Sequence, residues 1–434
     1  MASTSSQDEA EVPIDELGEL KMLVWGNALT DEVFKRWCQG FVFSPYEPSA
    51  LLQHEGGPCA VLAPLQAYIL KNLICTGDIW RQLEGNQAKE VLLTSMEEVF
   101  HCVSKPPFRL VLESDKQPVI ADMVEQQEGD QSDHARFHKT LRVMSCTTAE
   151  ELHQALQASY DSFTDQYGVV LFLYSLLMTK GLANVKNEME DASEPLVDGT
   201  YGHGSQSLVN LMLTGNAVSH VFDNEKEVDG LKMRGITVQP SSGFLTMLEH
   251  FRYCEVGWCL KNPTHPIWVL GSETHLTVFF TKEMSLVAPE SKWERARRVF
   301  CQYDTQDSGF IQKILLQDVL QVLQLVAIPE YVDIIKQKLD PDDFGIILLS
   351  SFMNEFFPDE PDRVIPLNFP VFHYNGLIRS CPDSKVKYIE GVAEVPDPQD
   401  IQGLTDASPV ESCLRTKWPT FMVNWENNYQ PSVN

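Results

Sequence analysis

The sequence predicts an α+β chain, on three observations. Residues 267–270 and 275–280 are apolar runs rich in β-formers, parted by a turn at 271–274. Helical patterning fills most of the chain before residue 180. After Pro289 a helix–loop–helix plan runs through Asp304 and returns at Asp340, 36 residues on.

From about residue 17 to 113 the pattern is helical and compact, and Thr30-Asp31 supply an N-cap signal for "EVFKRWCQGF". Residues 114–134 are polar and read as an exposed loop. Helical patterning resumes over 147–180, from "TTAEELHQALQASY" into "GVVLFLYSLLM". That apolar run is shorter than the roughly 20 residues a bilayer span takes, so it reads as a buried core helix. Residues 184–205 read as a long irregular connection. In the second strand run Leu276, Val278 and Phe280 share one face, and His275, Thr277 and Phe279 the other. The stretch 359–434 holds Pro/Asp-rich loops and short strand-like runs, among them "PVFHYNGL" and "TFMVNW".

Of 434 residues, 43% are hydrophobic and 10% aromatic, enough for a real core. Lys and Arg number 33 against 61 Asp and Glu, a net charge of −28. Such a field disfavours nucleic acid and anionic membrane as ligands and favours basic partners. The opening "MASTSSQDEAEVPIDELGEL" lacks the basic segment and apolar core of a secretory signal, so residues 1–16 are expected to be a disordered tail. Reduced thiols and a nuclear or cytoplasmic location are expected with it. The ten cysteines are scattered, with only Cys254 and Cys259 close together, and no Cys/His spacing fits zinc. No metal and no cofactor are expected.

The stretch "QHEGGPCAVLAPLQA" at 53–67 places a thiol after Gly56-Gly57-Pro58, at the start of an apolar helix. Unpaired N–H groups and the macrodipole put partial positive charge at such an end, which favours thiolate. Pro64 should kink that helix. His275 at the start of a strand could serve as base to a Cys59 nucleophile, and Gln53 could donate to a developing oxyanion. On that pairing Cys59 should be more reactive than the other nine cysteines. The residues alone also allow a structural Cys59 and a satisfied core His275, with His54 and His203 as competing imidazoles.

"GFVFSPYEPSALLQHEGGPCAVLAPLQA", "NEMEDASEPLVDGTYGHGSQSLVNLMLTGNAVS" and "PIWVLGSETHLTVFF" resemble the MINDY family of deubiquitinases. The closest resemblance is to the branch with an EF-hand-like insertion, over roughly residues 17–434. The resemblance implies a papain-like cysteine isopeptidase that trims polyubiquitin, chiefly 48-linked chains, with ubiquitinated proteins as partners. It makes Cys59 the nucleophile, His275 the base and Gln53 the oxyanion donor. A third triad member is expected near 285–290, where Glu290 or a backbone carbonyl could stand. The catalytic core then spans 17–290, the insertion 291–356, and 357–434 completes the catalytic domain. The alternative is a non-catalytic ubiquitin-binding scaffold.

The loop from Asp304 has Ser308 fifth, Gly309 sixth and Ile311 eighth, but Leu315 stands where a calcium loop needs its twelfth-position glutamate. The loop from Asp340 has Gly345 sixth and Ser351 twelfth. Both keep the turn and lose the charge, so the pair is expected to be structural. In 150–161, Leu152, Ala155, Leu156 and Ser159 fall in the order of a ubiquitin-interacting helix. An amphipathic helix packed on the core shows the same stripe.

Overall fold

The computed structural model describes residues 14–74, 80–83, 85–114, 132–228, 230–304, 308–358, 366–396 and 407–434. They fall into two compact units, one up to Met284 together with Leu367 onward, the other Ser285–Pro366. The second unit begins six residues before 291 and ends ten beyond 356. Of the expected tail, residues 1–13 lie outside the described residues, while 14–16 open the first helix. Glu16 is held there by the Arg109 guanidinium (2.9 Å to Nη2).

Helix α1 (Ile14–Trp25) leads to α2 (Asp31–Trp37). Thr30 caps α2, its Oγ1 accepting from the Val33 amide at 3.3 Å. Asp31 and Glu32 in the first turn and Lys35 and Arg36 in the last match the helix dipole. Helix α3 (Cys59–Ile74) runs through Pro64 as one element and is buried from Cys59 to Leu70. Against it pack α4 (Gln87–Val103) and α8 (Gly168–Lys180), with α5 (Asp133–Lys139), α6 (Ala149–Ala158) and α7 (Tyr160–Thr164) between them in sequence. Each fully buried Val, Leu or Ile along α3 contributes about 1.5–3 kcal/mol. Residues 17–113 are not wholly helical: 108–113 pairs as a strand with 141–146. The β-branched and aromatic side chains of "FRLVLE" favour that.

Beyond α8, Gly181 at φ +86° lets the chain bend by 84° into α9 (Leu182–Glu188). The supposedly irregular 184–205 therefore begins as helix and ends in a bridge between Val197 and Gly204. Ser205 then caps α10 (Gln206–Thr214) through the Leu208 amide. On α6, Leu152 and Leu156 are wholly buried, so the stripe read at 150–161 faces the protein's own core. Among the described residues no single helix is long and apolar enough to cross a membrane.

The main sheet has six strands: β1 (Gly243–Thr246), β2 (Ile267–Gly271), β3 (Leu276–Thr281), β4 (Phe369–Tyr374), β5 (Ile389–Glu394) and β6 (Met422–Trp425). They stand in the order 6-5-4-3-2-1, antiparallel except for the β1–β2 pair. Strand β3 is flanked on both sides, Val278 lying opposite Val269 on β2 and Tyr374 on β4. Its Val278 and Phe280 belong to the same core as α3. On the opposite face Phe279 meets the rings of Trp268 and Phe421. The alternation read from the sequence is therefore buried on both sides.

The second unit has its own core, with Val299, Phe300, Ile311, Leu320, Ile347 and Phe352 at its centre. Short strands at 310–312 and 346–348 pair Ile311 with Ile347 and so join the two loops. Residues 305–307, among them Gln306, which stands third in the loop from Asp304, lie outside the described residues. Asp304 accepts from the Ser308 and Gly309 amides (3.0 and 2.6 Å). Asp340 accepts from Phe344 and Gly345 (2.8 and 2.9 Å) and from the Lys313 ammonium at 3.0 Å. Against the burial that would raise it, Lys313 and those amides hold the Asp340 carboxyl below its ordinary value. A cation carried by the chain thus faces the first carboxylate of the second loop. Lys313→Met should speed hydrogen exchange at the Phe344 and Gly345 amides by about tenfold, and Lys313→Arg should leave it within about threefold. Equal exchange in all three proteins would remove the ammonium from the loop's stability.

Candidate active site

Cys59 is the first residue of α3, and the turn is wound before it. The Pro58 carbonyl accepts from both the Val61 and Leu62 amides at 2.9 Å. The approach lies against the 198–204 loop at van der Waals distance. Gly57 has φ +136°, and a Cβ there would stand 2.9 Å from Gly202 O and 3.0 Å from Trp37 Nε1. A Cβ on Gly204 would stand 2.4 Å from that of Ala60. Only residues without side chains let the loop come this close to the thiol end of the helix.

Gln53 is buried, and its backbone is tied to the loop after β4. Its amide donates to Gly376 O (2.8 Å), and Ile378 N donates to Gln53 O (3.1 Å). The Gln53 side chain donates to Glu55 O at 2.7 Å, which leaves one of its two amide hydrogens free of that bond. His275 closes the turn between β2 and β3, its amide donating to Ser272 Oγ at 3.0 Å. The strand β3 packs against α3, and the backbone of the next residue, Leu276, favours the thiolate of Cys59. His275 Nε2 contacts Asn375 Oδ1 at 3.0 Å, and the Leu377 amide donates to the same oxygen at 3.0 Å. Cys59 Sγ donates towards Gly57 O at 3.7 Å. Among the described residues thiol and imidazole are not bonded to each other.

Both groups are sealed, Cys59 at 4% exposure and His275 at 5%. Burial pushes the Cys59 thiol up to about 11, against backbone hydrogen bonds from Leu276 and Ala60 that favour thiolate. Burial also lowers His275 to about 4, against the Asn375 bond that raises it. Burial thus works against the expected thiolate–imidazolium couple in this state, favouring the uncharged form of each group. The helix end acts in the expected direction, but loss of water outweighs it. A cleft of about 440 Å³ opens at His275, lined in part by Arg36, Gly56, His203, His275, Arg379 and Asn434, and Cys59 lies outside its lining. His203 thus shares the cleft, its Nδ1 buried without a partner, whereas His54 is exposed.

A conserved-domain profile described as "Deubiquitinating enzyme MINDY-3/4, conserved domain" matches residues 21–318. The chain belongs to that family. It is 47% identical to "Ubiquitin carboxyl-terminal hydrolase MINDY-3" of Danio rerio, over 96% of this chain and 99% of the relative. The protein of that name from Homo sapiens is 46% identical over the same shares. A Drosophila melanogaster homolog is 39% identical over 96% of this chain and 83% of its own. No solved structure matches.

The family match spans Gln53, Cys59 and His275 and stops before Asn375, the side chain that holds the imidazole. Glu290 is instead held by Arg298, at 2.8 and 2.9 Å. The strand beside β3 is not the next in sequence, because the second unit lies between them. The available signal was the Asn-Gly pair closing "PVFHYNGL". In the free protein Cys59 should react with iodoacetamide at pH 7 more slowly than the exposed Cys301, its rate climbing towards pH 11. A faster reaction than that of Cys301 at pH 7 would mean that the thiolate already exists.

Proposed function

We propose that the chain is a cysteine deubiquitinase of papain-like α+β fold that hydrolyses isopeptide bonds in polyubiquitin, preferring 48-linked chains. The second unit is then an EF-hand-like pair that holds its shape without calcium. The observation that carries this reading is the Asn375–His275 bond, in a chain of a family described as deubiquitinating. With Nε2–H donating to Asn375, Nδ1 keeps its lone pair for the thiol proton, as in other Cys-His-Asn sites.

Cys59 Sγ attacks the isopeptide carbonyl as His275 Nδ1 takes its proton. The remaining Gln53 N–H, with backbone amides at the start of α3, donates to the oxyanion. The imidazolium protonates the leaving lysine amine, and a thioester is left on Cys59. Water, deprotonated by His275, then hydrolyses the thioester and frees a carboxylate and the thiol. Substrate entry must first open the cover over Cys59, and the 198–204 loop is the segment lying on it. A ubiquitin tail filling the cleft would replace water there, as the acyl-transfer step requires.

Purified protein should cleave 48-linked tetraubiquitin faster than 63-linked and couple to ubiquitin bearing a C-terminal thiol-reactive group. Cys59→Ala and His275→Ala should each abolish cleavage, and the double variant should be scarcely worse than either. Gln53→Ala should lower turnover roughly 10²-fold. Cleavage that persists in Cys59→Ala would overturn the assignment.

A further inference from the structure

We infer that residues 431–434 form part of the active-site apparatus, as a strap whose backbone oxygens set the orientation of the Asn375 amide and, through it, the tautomer of His275. The inference rests on the proposed role of His275. The oxygen and nitrogen of a side-chain amide occupy nearly the same space, so its surroundings decide which one faces the ring. On the ring side, Asn375 Oδ1 meets Leu377 N–H, which can only donate. On the far side, Nδ2 lies 3.2 Å from Ser432 O and 3.3 Å from Asn434 O, which can only accept. Reversing the amide would set oxygen against two backbone oxygens and NH2 against an N–H. The arrangement therefore permits one orientation, and that orientation demands a proton on Nε2.

The strap is anchored independently of Asn375. Pro431 and Val433 are buried. Ser432 Oγ donates to Asn434 O (2.8 Å) and accepts from the Asn434 amide (3.0 Å), which closes a local turn. Asn434 Oδ1 accepts from Ser272 Oγ at 2.6 Å, the hydroxyl that also accepts the His275 amide. One short segment thus holds both the side-chain partner of the imidazole and the turn that carries it. Asn434 itself is exposed and lines the cleft. These are positioning contacts, because none of them touches the thiol.

An aspartate at 375 has only acceptor oxygens and cannot present the wrong atom, which yields a test with a change of sign. Deleting residues 432–434 should lower kcat roughly 10-fold to 100-fold while KM for 48-linked chains stays within about threefold. In the full chain Asn375→Asp should also slow the enzyme, because its carboxylate faces the backbone acceptor oxygens of Ser432 and Asn434. In the shortened chain the same substitution should speed it. Ring ¹⁵N shifts of His275 should report the Nε2–H tautomer in the full chain and a mixture after deletion, whether or not the protein cleaves ubiquitin. If the shortened chain does not fold, Asn434→Ala removes only the side-chain anchors to Ser272 and Thr274, and its kcat should fall about threefold to tenfold. Full kcat after deletion or in Asn434→Ala, an unchanged tautomer, or the same loss from Asn375→Asp in both chains would overturn the strap. A full chain that holds the Nε2–H tautomer yet cleaves nothing would overturn the enzymatic reading instead.

Discussion

A helix buried on every side leaves only its ends for chemistry, and α3 is such a helix. From Cys59 to Leu70 every residue is buried, so strands, helices and loops must all pack around it. Its one long buried polar side chain, Gln66, is satisfied by Leu51 N, Ser49 O and the Tyr388 hydroxyl. That fixes the helix against the segment leading to Gln53 and against the region after β4. The position of the thiol follows from these constraints, and so does the need for glycine at 57 and 204, where the covering loop touches the thiol end of the helix.

The same burial sets two tendencies in opposition at Cys59. Amides at the helix start and from Leu276 favour negative charge, while removal of water disfavours it. At rest the second effect wins, and His275 is held neutral for the same reason. A thiol in this condition resists oxidation and stray alkylation. The charged pair becomes favourable when each partner gains the other as a neighbour, so proton transfer and substrate entry are coupled by electrostatics. The Asn375 bond supports this, because it favours the protonated ring without supplying a net charge that would ionise His275 in advance.

The local parts of the structure were legible because they rest on local physics. The Thr30 cap, the apolar helix after Pro58 and the two strand runs around His275 each stand where pattern and propensity put them. The irregular reading of 184–205 failed at its start because Gly181 ends one helix and begins another, and the polarity of that stretch hides a short amphipathic turn. The stripe at 150–161 could not be assigned from periodicity, since a ubiquitin-facing helix and a core-facing one need the same spacing. Burial of Leu152 and Leu156 decides between them. The opposing effect of burial on Cys59 and His275 was beyond reach for a related reason: a sequence shows the helix dipole but not the depth of water exclusion.

Asn375 was missed for a topological reason, and that reason bears on how the site is built. It lies 100 residues from His275, yet their strands are neighbours in the sheet. Between β3 and β4 the chain leaves the first unit, folds Ser285–Pro366 around a separate core and returns. Closing a long loop instead of a tight one adds only roughly 2–3 kcal/mol of entropy, since that cost grows with the logarithm of length. A folded insertion with its own core and its own Lys313–Asp340 pair fixes most of the added chain internally. The β3–β4 ladder, with Val278 opposite Tyr374, can therefore hold its register across the interruption. Imidazole and amide are aligned by strand pairing and by the contacts at the end of β4, and this lets sequence distance grow without loosening the site.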